Sequence, residues 1–364
     1  MTGMADVITG EAPGPQISWK GMTVGLDVAD QYSALCLLDP LGEVIEEGRV
    51  RTSSPALTQR FRSISPCRVI LEVGTHSPWM SRLLADLGHE VIVANPRKVR
   101  LIAERTQKKN DRSDAETLAR LGRIDARLLN PIAHRSAQAQ TDLAVIRARR
   151  GLVAARTLLI NHVRGAVKST GARLPACDAH YFHRKVAGSV PRDLLPALVP
   201  LLTTIAGLTA EIAAVDKRIV ALIRDHYPEA GRLRQVPGVG PLIALTFVLT
   251  IGDPSRFPKS RQIGPYLGLV PRQRASGDRV PELGISKAGN VYLRQLLVNG
   301  AQHILGYRGA DTDLRRWGLA RAASGKSAKK RAVVGVARKL AVLLHRLWVT
   351  GEAYMPLRQE VLAS

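Results

Sequence analysis

KKNDRSDAETLARL, residues 108–121, places Asp111 and Asp114 three apart at the start of a predicted helix, directly behind two lysines. Two readings compete. Acidic side chains in a first helical turn accept orphan N–H bonds and suit the positive end of the helix dipole, and Ser113 with Glu116 spells a capping box, S-x-x-E. Alternatively, an i, i+3 pair shares one helix face and supplies part of a cation site, which needs further carboxylates from other segments. Taken alone, the stretch favours capping, so the surrounding sequence has to decide.

Upstream, MTVGLDVAD (22–30), SALCLLD (33–39) and EVIEEGRV (43–50) read as three short strands, the last two joined by a turn at Asp39-Pro40-Leu41-Gly42. PALTQRFRSI (55–64) is apolar at helical spacing, RVILEVG (68–74) reads as a buried strand, SPWMSRLLADLG (77–88) as a helix ending at Gly88, and HEVIVANP (89–96) as another strand. This order predicts an α/β domain with a mixed sheet. Asp27 in the first strand and Glu72 at the end of the fourth are single carboxylates inside apolar runs, where a charge is costly unless a metal or partner meets it. A ribonuclease-H-like domain brings together its first strand, its fourth strand and the start of a late helix. Asp27, Glu72, Asp111 and Asp114 then form one acidic tetrad, and that outweighs the capping reading. Four carboxylates can hold one divalent ion or a pair against a scissile phosphate; oxygen-only ligands suit Mg2+, or Mn2+ in its place.

Composition names the partner class. Lys+Arg 53 against Asp+Glu 30 leaves 53 − 30 = +23, spread over most of the chain, which implies a polyanion, nucleic acid before any other. Aromatic residues are only 4%, so backbone contacts rather than base stacking should dominate. Cys36, Cys67 and Cys177 are odd in number and far apart, which argues against a disulfide framework and a cysteine-ligated zinc. The leader up to about residue 19 has neither a basic start nor an apolar core. No apolar run approaches a membrane span, and the protein is expected to be cytoplasmic.

From about residue 136 long helices take over. Apolar pairs recur every seven residues at Val145-Ile146, Leu152-Val153, Leu159-Ile160 and Ala166-Val167, with Arg147, Arg149, Arg150, Arg156 and Arg164 on other faces. A second helix spaces Leu201, Ile205, Leu208, Ile212, Val215, Ile219 and Leu222 by alternating fours and threes, the heptad of a coiled-coil pair or oligomer seam. Between them, 172–191 reads as a proline-bounded loop, and its His180 and His183 beside Cys177 and Asp178 as surface residues rather than zinc ligands. VPGVGP (236–241) before an apolar helix resembles the turn of a helix-hairpin-helix element. KSAKKR (326–331) opens a basic helical tail expected to touch nucleic-acid backbone.

The order Asp27, Glu72 and D-x-x-D at Asp111 and Asp114, followed by VPGVGPLIA, YLGLVPRQRASGD and GISKAGNVYLRQLLV, resembles the bridge-RNA-guided insertion-sequence transposases, kin to the pilin-gene DNA invertases. The resemblance runs from about residue 22 to 345. It implies a RuvC-like DEDD domain over 20–132 after a leader at 1–19, a coiled-coil linker over 133–228, a mainly helical C-terminal transposase domain over 229–350 and a tail at 351–364. It further implies a serine nucleophile. Ser276, in the S-G that follows P-R-x-x-x, matches the family's position, while Ser286 is given a loop or phosphate-contact role. Partners implied are a noncoding bridge RNA that pairs with donor and target double-stranded DNA, and further copies of the chain, dimers assembling to a tetramer. Arg147, Arg149, Arg150, Arg156, Arg272, Arg274 and Lys287 are the expected nucleic-acid contacts. The nearest rival is a RuvC-like metal-dependent nuclease or junction resolvase. An actin-like sugar kinase would need further glycine-rich phosphate loops, which are missing at the needed places, and an architectural RNA or DNA binder would leave the acidic tetrad unexplained.

Overall fold

Alternating apolar residues build the sheet. Val24 and Leu26 of β1 (Thr23–Asp27), Leu35 and Leu37 of β2 (Tyr32–Leu38) and Val69 and Leu71 of β4 (Arg68–Glu72) bury one face. With β3 (Val44–Arg51) and β5 (Glu90–Ala94) they form a five-stranded sheet in the order β3-β2-β1-β4-β5. β1 pairs antiparallel with β2 and β2 with β3, whereas β1–β4 and β4–β5 are parallel. This is the mixed sheet the sequence pattern predicts, in an arrangement consistent with a ribonuclease-H-like domain. The computed structural model describes residues 21–95, 111–272, 284–323 and 325–358, without the side chains of Asp111, Arg112 and Lys326.

Two helices, α1 (Ser54–Arg62) and α2 (Ser77–Asp86), cover the Val24 face through Leu57, Phe61, Met80 and Leu84. The opposite face carries α3 (Asp111–Ile124), whose Ala115, Leu118, Ala119 and Leu121 pack on Ala34, Cys36, Ile70 and Ile92. The segment after α3 runs along β5, Ile132 N–H donating to Val93 O at 2.9 Å and Asn95 N–H to Leu129 O at 2.9 Å, which covers that sheet edge. Burial pushes the Cys67 thiol up to about 11, so it is inert at neutral pH.

The chain divides into two units, Met1–Ala137 and Gln138–Ser364. In the second, α4 (Ala137–Ser169) and α6 (Leu195–His226) run antiparallel. Three cross-links fix that direction: Asp142–Tyr227, Arg149–Asp216 and Arg156–Thr209. The stretch 172–191 is not the featureless loop expected from its prolines. It contains α5 (Phe182–Val186), and Phe182, Val186 and Val190 plug the hairpin tip against Ile160, Val163 and Leu198, because apolar residues at helical spacing outweigh the flanking breakers. A second correction concerns α6: the helical stretch Arg192–His226 is long and apolar enough to cross a membrane by length and composition. The expectation of no such run does not hold for this helix, whose heptad stripe nonetheless packs inward, with Ile205, Ile212 and Ile219 buried.

The remaining helices, α7 (Pro228–Leu233), α8 (Pro241–Ile251), the single turn α9 (Ile263–Tyr266), α10 (Val291–Leu305), α11 (Asp313–Ala322) and α12 (Lys326–Thr350), surround one core. α8 lies at its centre, buried from Ile243 to Ile251. The turn between α7 and α8 holds Gly238 at φ +83°, and an added Cβ there would lie 2.9 Å from Gly300 O.

Candidate active site

Asp27 and Glu72 are the last residues of β1 and β4, neighbouring parallel strands paired Leu26 to Leu71. Leu26 and Leu71 point into the α1–α2 core, so strand alternation turns Asp27 and Glu72 to the other face, beneath α3. Both are half-buried. α3 runs antiparallel to the two strands. Its end is tied at their starts, where Arg68 Nη1 donates to Gly122 O at 3.0 Å and Arg123 Nη1 to Gly21 O at 3.0 Å. Its start, with Asp111 and Asp114, therefore lies at the strand ends that carry the two acids.

Small residues make this docking possible. A Cβ on Gly25 would stand 1.9 Å from Ala115 O and 2.7 Å from Ala119 N, and one on Gly122 would strike Ile70. Helix and sheet thus meet backbone to backbone, with Ala115 over Gly25, two residues before Asp27. The capping reading of the opening stretch fails in part. Ser113 is the third residue of the helix rather than its cap, and Glu116 turns forward to Arg120 at 2.7 Å instead of back. Asp114, in the first turn of the helix, is half-buried. Asp111 is placed at the helix start, but its side chain lies outside the described residues.

In the second unit, segments 268–272 and 284–287 form a short antiparallel ladder. Ser286 N–H donates to Val270 O at 2.8 Å, Arg272 N–H to Gly284 O at 3.0 Å, and Pro271 bridges Ile285. The exposed side chains of Arg272 and Lys287 stand on it. Ser276 and Arg274 belong to the intervening segment 273–283, outside the described residues.

Against known proteins, residues 230–313 match the family described as "Transposase IS116/IS110/IS902 family", and residues 24–171 match a DEDD family of IS110 elements described as "Transposase". The chain is 30% identical over 339 residues to the transposase for insertion sequence element IS1111A of Coxiella burnetii, covering 91% of this chain and 90% of that one. The chain belongs to the IS110/IS116 family of transposases. It is 31% identical over 260 residues to the transposase for IS1328 of Yersinia enterocolitica, covering 70% of this chain and 75% of the relative. A probable family 20 transposase of Pseudomonas aeruginosa is 30% identical over 302 residues, 81% and 87% of the respective chains.

A transposase is a DNA-acting enzyme, and membership of a DEDD family implies dependence on a divalent metal. Among the described residues no three His, Cys, Asp or Glu side chains stand close enough to hold an ion as they are. The donors nevertheless fit in type and placement: Asp27, Glu72 and Asp114 offer oxygen alone, and the two strand ends and the helix start lie together at one end of one sheet face.

The transposase distributes its α4 arginines between two directions. Arg147 and Arg150 are exposed, the latter with its guanidinium 4.8 Å from the Tyr292 ring centre. Arg149 turns to α6 and pairs with Asp216 at 2.5 and 3.1 Å, while Arg156 donates to Thr209 Oγ1 at 3.3 Å. Burial, then Arg149, holds the Arg156 guanidinium below its ordinary value. Sequence reasoning missed a polar group just beyond the acidic strand ends. His76 Nε2 lies 3.3 Å from Asp30, and the buried Ser77 Oγ lies 2.9 Å from His134 Nε2. The signal was available: both elements follow directly on strands that end in a carboxylate. Burial, then Arg82 and Arg135, lowers the His134 pKa.

Proposed function

We propose that this transposase is an RNA-guided, site-specific recombinase that cuts and rejoins DNA through a serine–DNA phosphodiester. The observation that carries the reading is the placement of Asp27 and Glu72 on one sheet face beside the start of α3. Asp27, Glu72, Asp111 and Asp114 hold Mg2+, or Mn2+, within a RuvC-like domain over 20–132. When bound, the metal neutralises charge at the scissile phosphate.

Ser276 is the nucleophile. Its Oγ attacks phosphorus, an Oγ–P bond forms as the P–O bond to the leaving deoxyribose oxygen breaks, and the serine proton is lost while the leaving oxygen gains one. The number of phosphodiester bonds is unchanged, so the reverse attack by another strand's hydroxyl rejoins DNA without ATP. Arg272 and Arg274 ahead of Ser276, and Lys287 beyond it, meet phosphate. Of the four arginines expected to meet nucleic acid in the coiled-coil linker 133–228, exposed Arg147 and Arg150 contact its backbone, whereas Arg149 and Arg156 turn to Asp216 and Thr209 and brace the hairpin that carries them. A bridge RNA pairs with donor and target DNA and supplies sequence choice, dimers assemble to a tetramer bridged by the recombining DNA, and 229–350 is the C-terminal transposase domain that carries the serine.

The test is a covalent trap. Protein, guide RNA and a DNA site that stalls after cleavage should give a denaturant-resistant band containing both protein and DNA, with the phosphoryl group on the peptide containing Ser276. Ser276→Ala should remove the band and keep nucleic-acid binding, and Ser286→Ala should retain adduct. Loss in Ser286→Ala alone moves the nucleophile to that residue, and hydrolysed ends without adduct in any variant favour a metal-dependent nuclease.

A further inference from the structure

A single arginine interrupts the apolar run VYLRQLLV at the start of α10. Arg294 is 8% exposed, flanked by buried Leu293, Leu296 and Leu297, and no carboxylate among the described residues pairs with it. Its Nη1 instead donates to two backbone carbonyls, Leu267 O at 2.9 Å and Ala288 O at 2.7 Å. These carbonyls belong to the two segments that continue into the 268–272/284–287 ladder. A buried cation is expensive, and helix packing alone would be served by leucine. Its two bonds act as a cross-brace between chain segments that are distant in sequence.

What the brace holds is unusual backbone. Gly268, at φ +66°, lies so close to the other segment that a Cβ would meet Ala288 N at 2.3 Å; Gly289, at φ +71°, would meet Tyr266 O at 2.1 Å. Between them, Lys287 adopts φ +57° without being glycine, and its N–H donates to Gly268 O at 3.2 Å. Side chains avoid this region, and residues held there persist only where surroundings over-determine them. Lys287 is exposed, so packing of its own side chain does not impose the conformation.

We infer that Arg294 is a positioning residue: it locks the 286–289 turn against segment 267–272, so that Lys287 and Arg272 present their charges to a DNA phosphate in one fixed arrangement. This rests on the proposed phosphate contacts of those two residues. Arg294 itself touches no DNA and acts through the backbone of Leu267 and Ala288.

The test compares full-length Arg294→Met, Arg294→Lys and Lys287→Ala with the unaltered protein on a fluorescent duplex DNA of arbitrary sequence. Two readouts are taken: the salt dependence of binding, and amide hydrogen exchange. Lys287→Ala should lower the salt slope by about one counterion. Arg294→Met should lower it equally and speed exchange of the Ser286 and Lys287 amides at least about tenfold, while the α12 core amides keep their protection. Arg294→Lys, which keeps charge and donors, should recover part of both effects. An unchanged slope in Lys287→Ala removes the phosphate contact and the inference with it. A reduced slope there, with wild-type slope and exchange in Arg294→Met, overturns the positioning role alone. Loss of protection throughout the unit, or failure of both Arg294 variants to fold, assigns Arg294 to general stability and also overturns it.

Discussion

The contact of α3 with the sheet and the contact of α4 with α6 are built on opposite terms. At α3 the backbones themselves touch where Gly25 lies under Ala115, and Gly122 leaves no room for a Cβ against the Ile70 side chain. Along the hairpin, Gly151, Gly165 and Gly207 meet nothing within 4 Å, Leu158 is 69% exposed, and ion pairs and hydrogen bonds bridge the helices. Carboxylates that must converge on one ion need their elements fixed to a fraction of an ångström, and backbone docking has no rotamers to relax. A helix pair that spans distance can tolerate local change.

The largest expected effect breaks this contrast if it fails to appear. Gly25→Ala places a Cβ against the Ala115 carbonyl, so α3 must lift. Unit stability should fall by about 3 kcal/mol and activity should vanish, as read by thermal unfolding and a recombination assay. Gly207→Ala in α6 should instead gain about 0.5–1 kcal/mol from helix propensity. Tolerance at Gly25 would mean that the helix is not held by backbone contact.

Next in size, Asp27→Ala, Glu72→Ala, Asp111→Ala and Asp114→Ala should each cut recombination by roughly a thousandfold or more while circular dichroism and nucleic-acid binding stay intact, because removing a ligand relieves carboxylate repulsion. Activity should require magnesium or manganese. Wild-type rates in Asp114→Ala would return that residue to a helix-end role.

A smaller effect sharpens the hairpin side. The Arg149–Asp216 pair is only part-buried, so a double-mutant cycle should yield a coupling of about 0.2–1 kcal/mol. Neutralising Arg147 and Arg150 should leave stability alone and flatten the salt dependence of nucleic-acid binding by about one counterion per lost phosphate contact. Neutralising the inward pair, Arg149 and Arg156, should leave that salt dependence nearly unchanged, and a slope reduced as far as in the Arg147 and Arg150 variants would erase the distinction between inward and outward arginines.

The smallest is a pH dependence. His134 has its folded pKa lowered, burial being the first cause. The folded state therefore binds fewer protons than the unfolded one below the ordinary histidine value of about 6.5. The contribution is complete above that value and is lost as pH falls through the window down to the lowered folded pKa. His134→Gln should flatten a melting-temperature profile in that window, and a parallel profile would show that the group does not contribute.

The sheet was legible because its cues are local. Alternation over five residues and turns at Gly42 and Gly88 suffice to place the five strands along the chain, whereas their order β3-β2-β1-β4-β5 is set by pairing that no local pattern announces. The hairpin was legible as two helices but not in the direction of its arginines. Arg147 and Arg149 have the same side chain two residues apart, and only Asp216 and Thr209 on the opposing helix decide which arginines turn inward. Arg294 went unread although its signal matched that of Asp27: one charge in an apolar run. Its partners are carbonyls, to which any sequence contributes alike, so no side-chain pattern announces them.

The tether of α3 at Arg123 has a consequence for how this enzyme can evolve. Arg123 is anchored to the carbonyls of Gly21, Asp39 and Pro40, and Asp114 stands nine residues back along the helix, about 13 Å at 1.5 Å per residue. The helix is a gauge block: a one-residue insertion between the two would carry the acid off by about 1.5 Å and swing it by about 100°. With Asp114 in its proposed role as a metal ligand, that stretch of α3 should accept substitutions but no insertion or deletion.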